Sequence, residues 1–175
     1  MYDELIKVVR ERRSCKNFRP DSVADDLVEK VVDAGVWAAS GRGLQSPIVV
    51  RIKDAALRAR ISAENAAILG RGIDPFYGAP EILLVLVESN VNTAVCDGSL
   101  VLGNMMLAAH TLGLGSCWIH RAKEESENPN GVVAEIVKRL SLPGKYVGVG
   151  HLALGYAAAP LPPPPPRKLG RFLEV

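Results

Sequence analysis

Six consecutive apolar residues, Ile82 to Val87, stand between Gly78 and Pro80 on one side and Asn90 on the other. A short, β-branched run closed by turn residues reads as a strand buried on both faces, because a half-exposed strand would alternate apolar with polar residues. Such a strand needs cover on both sides, so the chain must fold in layers, an α/β (α+β) sandwich. The periodicity around it predicts helices over 2–12, 24–38, 54–69, 97–112 and 131–140, and strands over 47–52, 81–88, 115–120 and 147–155. Ser22 followed by Asp25 resembles a capping box ahead of Leu27, Val28, Val31, Val32 and Ala34 at helical spacing. Asp97 is expected to open the long apolar helix, its carboxylate on the free amides of the first turn.

With 175 residues, 48% of them hydrophobic, the chain can bury a sizeable core without disulfides, which excludes a disordered or collagenous chain. The cysteines at 15, 96 and 117 are odd in number and form no CxxC pair, which suits a reducing compartment. The opening Met-Tyr-Asp-Glu-Leu has neither the basic head nor the apolar run of a signal peptide, so a cytoplasmic location is expected. Residues 98–120 carry no Asp, Glu, Lys or Arg. Gly113 and Gly115 break that stretch, so it reads as a buried helix followed by a strand and not as a membrane span. No second domain or internal repeat is expected.

Net charge is only +2, but it is unevenly spread. Residues 7–19 hold Lys7, Arg10, Arg12, Arg13, Lys16 and Arg19 against Glu11, a net +5; residues 167–175 carry +2, which leaves −5 for the rest. Nucleic-acid binding would spread basic residues among exposed aromatics over a larger surface, whereas aromatics are 5% here and the cations sit at two ends. A small anion such as one phosphate fits that distribution better.

His110, His120 and His151 are too scattered for a metal site, and no HExxH or GxSxG occurs, so neither a metal nor a hydrolytic triad is expected. Gly148 to Ala153 satisfies the letter of the dinucleotide pattern GxGxxA, but it alternates as a strand and only a proline tail follows, so it is a decoy. Arg12, Arg13, Ser14 and Lys16 leave the first helix together and would make a phosphate clasp; taken by itself, the segment is better accounted for by favourable charge at a helix C-terminus. The loop from Ala39 to Gln45 is rich in glycine, which suits close backbone approach to a flat ligand or a helix C-cap. Six of the twelve prolines, Pro160 and Pro162 to Pro166, make the chain beyond Tyr156 an extended rod leading to Arg167 and Lys168. That rod reads either as a solvated linker or as an arm carrying two cations to a site on the same or a neighbouring subunit.

Taken in order, Arg12-Arg13-Ser14, Ala38 to Gln45, Phe76 to Pro80, Asp97 with its helix, Gly113 to Ile119, and Gly155-Tyr156 before the proline-rich Arg167-Lys168 resemble the FMN-dependent nitroreductase family. The resemblance spans nearly the whole chain. It implies a three-layer sandwich with a mixed central sheet flanked by helices, forming a homodimer with FMN at the interface and the C-terminal segment, residues 157–175, exchanged between subunits. By the match, Arg12 and Ser14 would hold the FMN phosphate and ribityl chain, with Arg13 also among the cofactor-binding residues, Arg167 or Lys168 would complete the phosphate site, and Lys16 would lie near the pyrimidine edge. Ser40, Gly41 and Gln45 match the loop that contacts the ring. Trp118, Ile119 and His120 match the segment under it, with a backbone amide near His120 reaching flavin N5.

The implied activity is transfer of hydride from NADH or NADPH through FMN to a nitroaromatic, quinone or similar acceptor, in a ping-pong cycle. Flavin chemistry needs no side-chain nucleophile, which agrees with the missing catalytic dyad. Gly43, Ser46 and Lys16 stand where many relatives carry Asn, Pro and Arg, and the chain leaves little room for an inserted lid over 70–97 or 120–131, so an open pocket with broad acceptance is expected. Two other readings are a relative that consumes flavin or dehalogenates aromatics, and a non-catalytic flavin-binding protein whose proline segment docks a partner.

Overall fold

The computed structural model describes residues 2–175. Helices α1 (Tyr2–Glu11), α2 (Asp25–Val36), α3 (Ala55–Leu69), α4 (Ala94–Thr111), α5 (Ala122–Ser126) and α6 (Val132–Arg139) surround strands β1 (Ile48–Arg51), β2 (Glu81–Glu88), β3 (Gly115–Ile119) and β4 (Tyr146–Gly155). The sheet order is β1-β2-β4-β3, and every neighbouring pair is antiparallel. The mixed character expected of the sheet reduces, among the described residues, to one parallel bridge between Ser14 and Ser116.

The apolar run at 82–87 lies in β2 and is buried throughout, as its composition requires. Its side chains alternate between two cores. Ile82, Leu84 and Leu86 meet Leu57 and Ile61 of α3 and Ile136 of α6, while Leu83, Val85 and Val87 meet Val28 and Val31 of α2 and Leu102 and Met105 of α4. The result is three layers, helices on both faces of one sheet. Helix α4 lies so close to the sheet that a Cβ on Gly98 would overlap Val149, which explains a glycine inside a helix.

Two capping expectations are corrected. Ser22 caps nothing: α2 starts at Asp25 behind Ala24 with no side-chain cap, and the Asp25 carboxylate pairs instead with Arg51 at 2.6 Å and Lys53 at 3.4 Å. Arg51 also holds Glu81, and the two carboxylates raise the guanidinium pKa. Helix α4 begins three residues earlier than expected, and Asp97 accepts from Thr93 Oγ1 at 2.9 Å and from the distant Gly41 amide. By contrast α3 is capped by Asp54, which accepts from the Ala56 and Leu57 amides, and it ends on left-handed Gly70.

Beyond β4 the chain pairs with the segment after α1: Ala157 bridges Phe18, and Ala158 N donates to Asn17 O. From Pro160 onward it runs without regular structure and is mostly exposed. No helix among the described residues is long and apolar enough to cross a membrane.

Candidate functional site

A cavity of about 580 Å³ opens where the two ends of the chain meet. Arg12, Arg13, Ser14, Lys16 and Arg167 line it, with Pro160 to Pro162 as a wall. The cations are aimed by the local fold. The last turn of α1 closes with Arg12 N donating to Val8 O, and the next residues are then stapled to the edge of β3, Cys15 N donating to Ser116 O at 2.9 Å. Cys15 is fully buried beneath, so Ser14 and Lys16 on either side of it face outward. Both ends of the molecule therefore supply cations to one site within a single chain, Arg167 being carried there along the proline rod.

Two guanidinium nitrogens at this cavity, Arg12 Nη1 and Arg13 Nε, are buried and have no hydrogen-bond partner. An unpaired buried charged donor is expensive, and two of them on residues that line one cavity call for an anion. Arginine forks match phosphate oxygens, so the donor set fits the phosphate of FMN. Cys117 lies nearby on β3, but burial, against a smaller opposing effect of Lys16, pushes its thiol pKa up, which does not favour a thiolate nucleophile.

Lys168 does not line the cavity, although Arg167 does. Ser40, Gly41 and Gln45 form a separate group. Ser40 precedes a 3₁₀ turn at Gly41–Gly43 and accepts from Gln45 N at 3.0 Å, Arg42 and Gln45 are left-handed, and Gly41 N is tied to Asp97 at 3.0 Å. This loop therefore sits at the N-terminal end of α4, whereas Ser14 pairs with Ser116, just beyond the C-terminal end of the same helix. From Asp97 to Thr111 the helix axis runs about 21 Å at 1.5 Å per residue. Within the single chain the loop and the cavity are thus not brought together.

Trp118, Ile119 and His120 form a third group at the end of β3, Ile119 pairing with His151 of β4. Asn65 of α3 donates to His120 O at 2.9 Å. Behind it lie Glu125 and His151, both fully buried, with His151 Nε2 at 2.6 Å from Glu125 Oε2. Sequence reasoning does not find this polar cluster: Asn65 and Glu125 look like ordinary helix positions, and His151 like one residue of an alternating strand.

The model of the Nitroreductase family matches residues 9–81 and 74–156. A protein of Methanothermobacter thermautotrophicus, provisionally named NADH dehydrogenase/NAD(P)H nitroreductase, is 24% identical over 165 residues, covering 89% of this chain and 78% of its own. Among solved structures, a nitroreductase with bound FMN from Bacteroides fragilis superposes with a TM-score of 0.85 at 26% identity, over 98% of each chain. Another with bound FMN, from Desulfitobacterium hafniense, gives 0.82 at 26% identity over the full length of both.

Proposed function

The chain belongs to the nitroreductase family, and on that premise we propose that it is an FMN-dependent oxidoreductase taking electrons from NADH or NADPH and passing them to nitroaromatic, quinone or similar acceptors. The observation that carries this reading is the pair of buried, unpartnered nitrogens, Arg12 Nη1 and Arg13 Nε, on two arginines that line a cavity of about 580 Å³. Bound FMN would supply the electron transfer between nicotinamide and acceptor that no side-chain constellation here performs.

The residues divide the work of holding it. Arg12, Arg13 and Arg167 bind the phosphate, Lys168 adds to the local positive field, and Ser14 supplies a hydroxyl for phosphate or ribityl oxygen. Lys16, exposed at the cavity mouth, places a cation by the pyrimidine edge, where it stabilises negative charge on the reduced ring without moving a proton. Trp118, Ile119 and His120 form the floor under the ring.

Ser40, Gly41 and Gln45 come from a second copy, because about 21 Å of α4 separates them from the phosphate cavity of their own chain. Exposed apolar residues support such a dimer. Trp37, beside the loop, is 80% exposed, and Val95 and Leu100 of α4 are about half exposed. In the tail, which keeps to its own chain's cavity as far as Arg167, Leu169, Phe172 and Leu173 are each more than 80% exposed, and a partner subunit lying against the tail would cover them. The chain acts as one FMN-binding unit, completed by its copy.

The test is the absorbance of the purified protein before and after anaerobic NADH or NADPH, followed by turnover with several unrelated acceptors. A flavin spectrum that bleaches with nicotinamide, returns with acceptor and leaves intact FMN is expected. Colourless protein that does not take up FMN, or flavin that nicotinamide does not reduce, overturns the proposal.

A further inference from the structure

The polar cluster behind β3 is the feature the binding of FMN does not by itself require. Asn65 is fully buried on α3 and engaged at every side-chain atom: its Nδ2 donates to His120 O at 2.9 Å and to Glu125 Oε1, and its Oδ1 accepts from Arg121 Nε at 2.9 Å. Glu125 is oriented in turn by His151 Nε2, whose ring is fixed edge-on against Phe76 at 5.3 Å between centroids. The Asn65 amide of α3 therefore joins the 120–121 turn to α5, and β4 is tied in one step further on, through Glu125. Only His151 Nδ1 is left without a partner, and a buried network connected in this way holds a single geometry, since displacing Asn65 or Glu125 would leave further buried polar groups unpaired.

What the network grips is a backbone turn. Arg121 is left-handed, with φ 82° and ψ 3°, a strained conformation for a residue with a side chain, and its carbonyl accepts from Glu125 N at 2.9 Å. In the trans 120–121 peptide the carbonyl and the following amide point in opposite directions. Asn65 draws the His120 carbonyl toward α3, so the Arg121 amide is turned away from α3, and among the described residues it donates to no other group.

We propose that Asn65, held by Glu125, His151 and Arg121, is a positioning residue that locks the His120–Arg121 peptide so that its amide presents a fixed donor to the ring of the bound cofactor. This rests on the FMN reading above, with residues 118–120 beneath the ring. A fixed donor favours a ring nitrogen that accepts a hydrogen bond when oxidised over one that carries hydrogen when reduced, so the network holds the cofactor potential down.

The experiment compares wild type with Asn65→Ala and Arg121→Gly. The glycine variant removes the Nε contact to Asn65 while suiting the left-handed backbone, so it is expected to fold even where loss of Asn65 is not tolerated. Two quantities are read: the backbone order parameter of the Arg121 amide in the FMN-free full chain, and the midpoint potential of the FMN-loaded protein. A lowered order parameter and a potential shifted upward, with kcat lowered more than KM for the acceptor rises, support the proposal. An unchanged order parameter and potential in a folded variant, Arg121→Gly alone included, overturn it. Failure of the wild type to bind FMN would instead remove the functional reading, a separate result.

Discussion

The Asp97 carboxylate accepts a hydrogen bond from the Gly41 backbone amide at 3.0 Å, joining residues 56 positions apart. Its other oxygen accepts from Thr93, so one buried side chain in the first turn of α4 ties the glycine-rich loop to the body of the protein. In Asp97→Ala both donors lose their partner in a site that is 3% exposed, and a loss of about 1–3 kcal/mol is expected, read from the urea midpoint. Asp97→Asn, which keeps an acceptor oxygen, is expected to lose less. Equal stability of the alanine variant and wild type would mean the loop is held by other contacts.

Arg12→Ala should separate binding from folding. Arg12 Nη1 has no protein partner, so its removal costs the fold little, and the melting temperature of the FMN-free protein is expected to stay within a few degrees of wild type. FMN affinity is expected to fall by about tenfold or more, the worth of one charge-assisted hydrogen bond. A variant with wild-type affinity would take Arg12 out of the phosphate site.

Gly150 tests the packing under the proposed ring. A Cβ there would overlap the Trp118 indole nitrogen, which is buried and without a hydrogen-bond partner. Gly150→Ala is expected to destabilise by about 1–3 kcal/mol through overpacking and to change Trp fluorescence. A neutral effect on both would show that the Trp118 ring moves freely.

Acid should weaken the fold through three surface carboxylates. Asp25 is held below the usual carboxylate range by Arg51 and Lys53, Asp54 by the Leu57 and Ala56 amides it caps, and Glu135 by Arg60 and Arg139. Each binds its proton more weakly folded than unfolded, so its contribution is present above the unfolded pKa near 4 and is lost as pH falls through the lower folded values. The urea midpoint is expected to drop between pH 6 and pH 3, and less steeply in Asp54→Asn, which caps without titrating. A midpoint level across that range would contradict this.

Long, periodic elements are legible in the sequence because their own residues carry the signal. The unbroken apolar run of β2 demands cover on both faces, and Asp54 and Gly70 mark both ends of α3. Helix α5 is not legible, since five residues, Ala-Lys-Glu-Glu-Ser, show no period and the burial of Glu125 makes sense only beside His151. Likewise Ser22 looks like a cap, but Arg51, distant in sequence, decides where Asp25 points. The cation-lined cavity is foreshadowed by cations gathered at both ends of the chain, and Arg12 and Arg167 do line one site. The placement of Ser40, Gly41 and Gln45 at the other end of α4 depends on which strand end each loop leaves, which no local pattern encodes.

The central claim, that the cavity between Arg12, Arg13 and Arg167 is built for a phosphate, is tested most directly by titrating FMN and riboflavin, which differ only in that group, into the FMN-free protein. With two unpaired arginine donors at about 1.5–3 kcal/mol each, FMN is predicted to bind about a hundredfold or more tightly than riboflavin. That preference should collapse in the Arg12→Ala, Arg13→Ala double variant. Equal affinity for the two ligands in the wild type, or an FMN preference that survives the double substitution, would contradict the account.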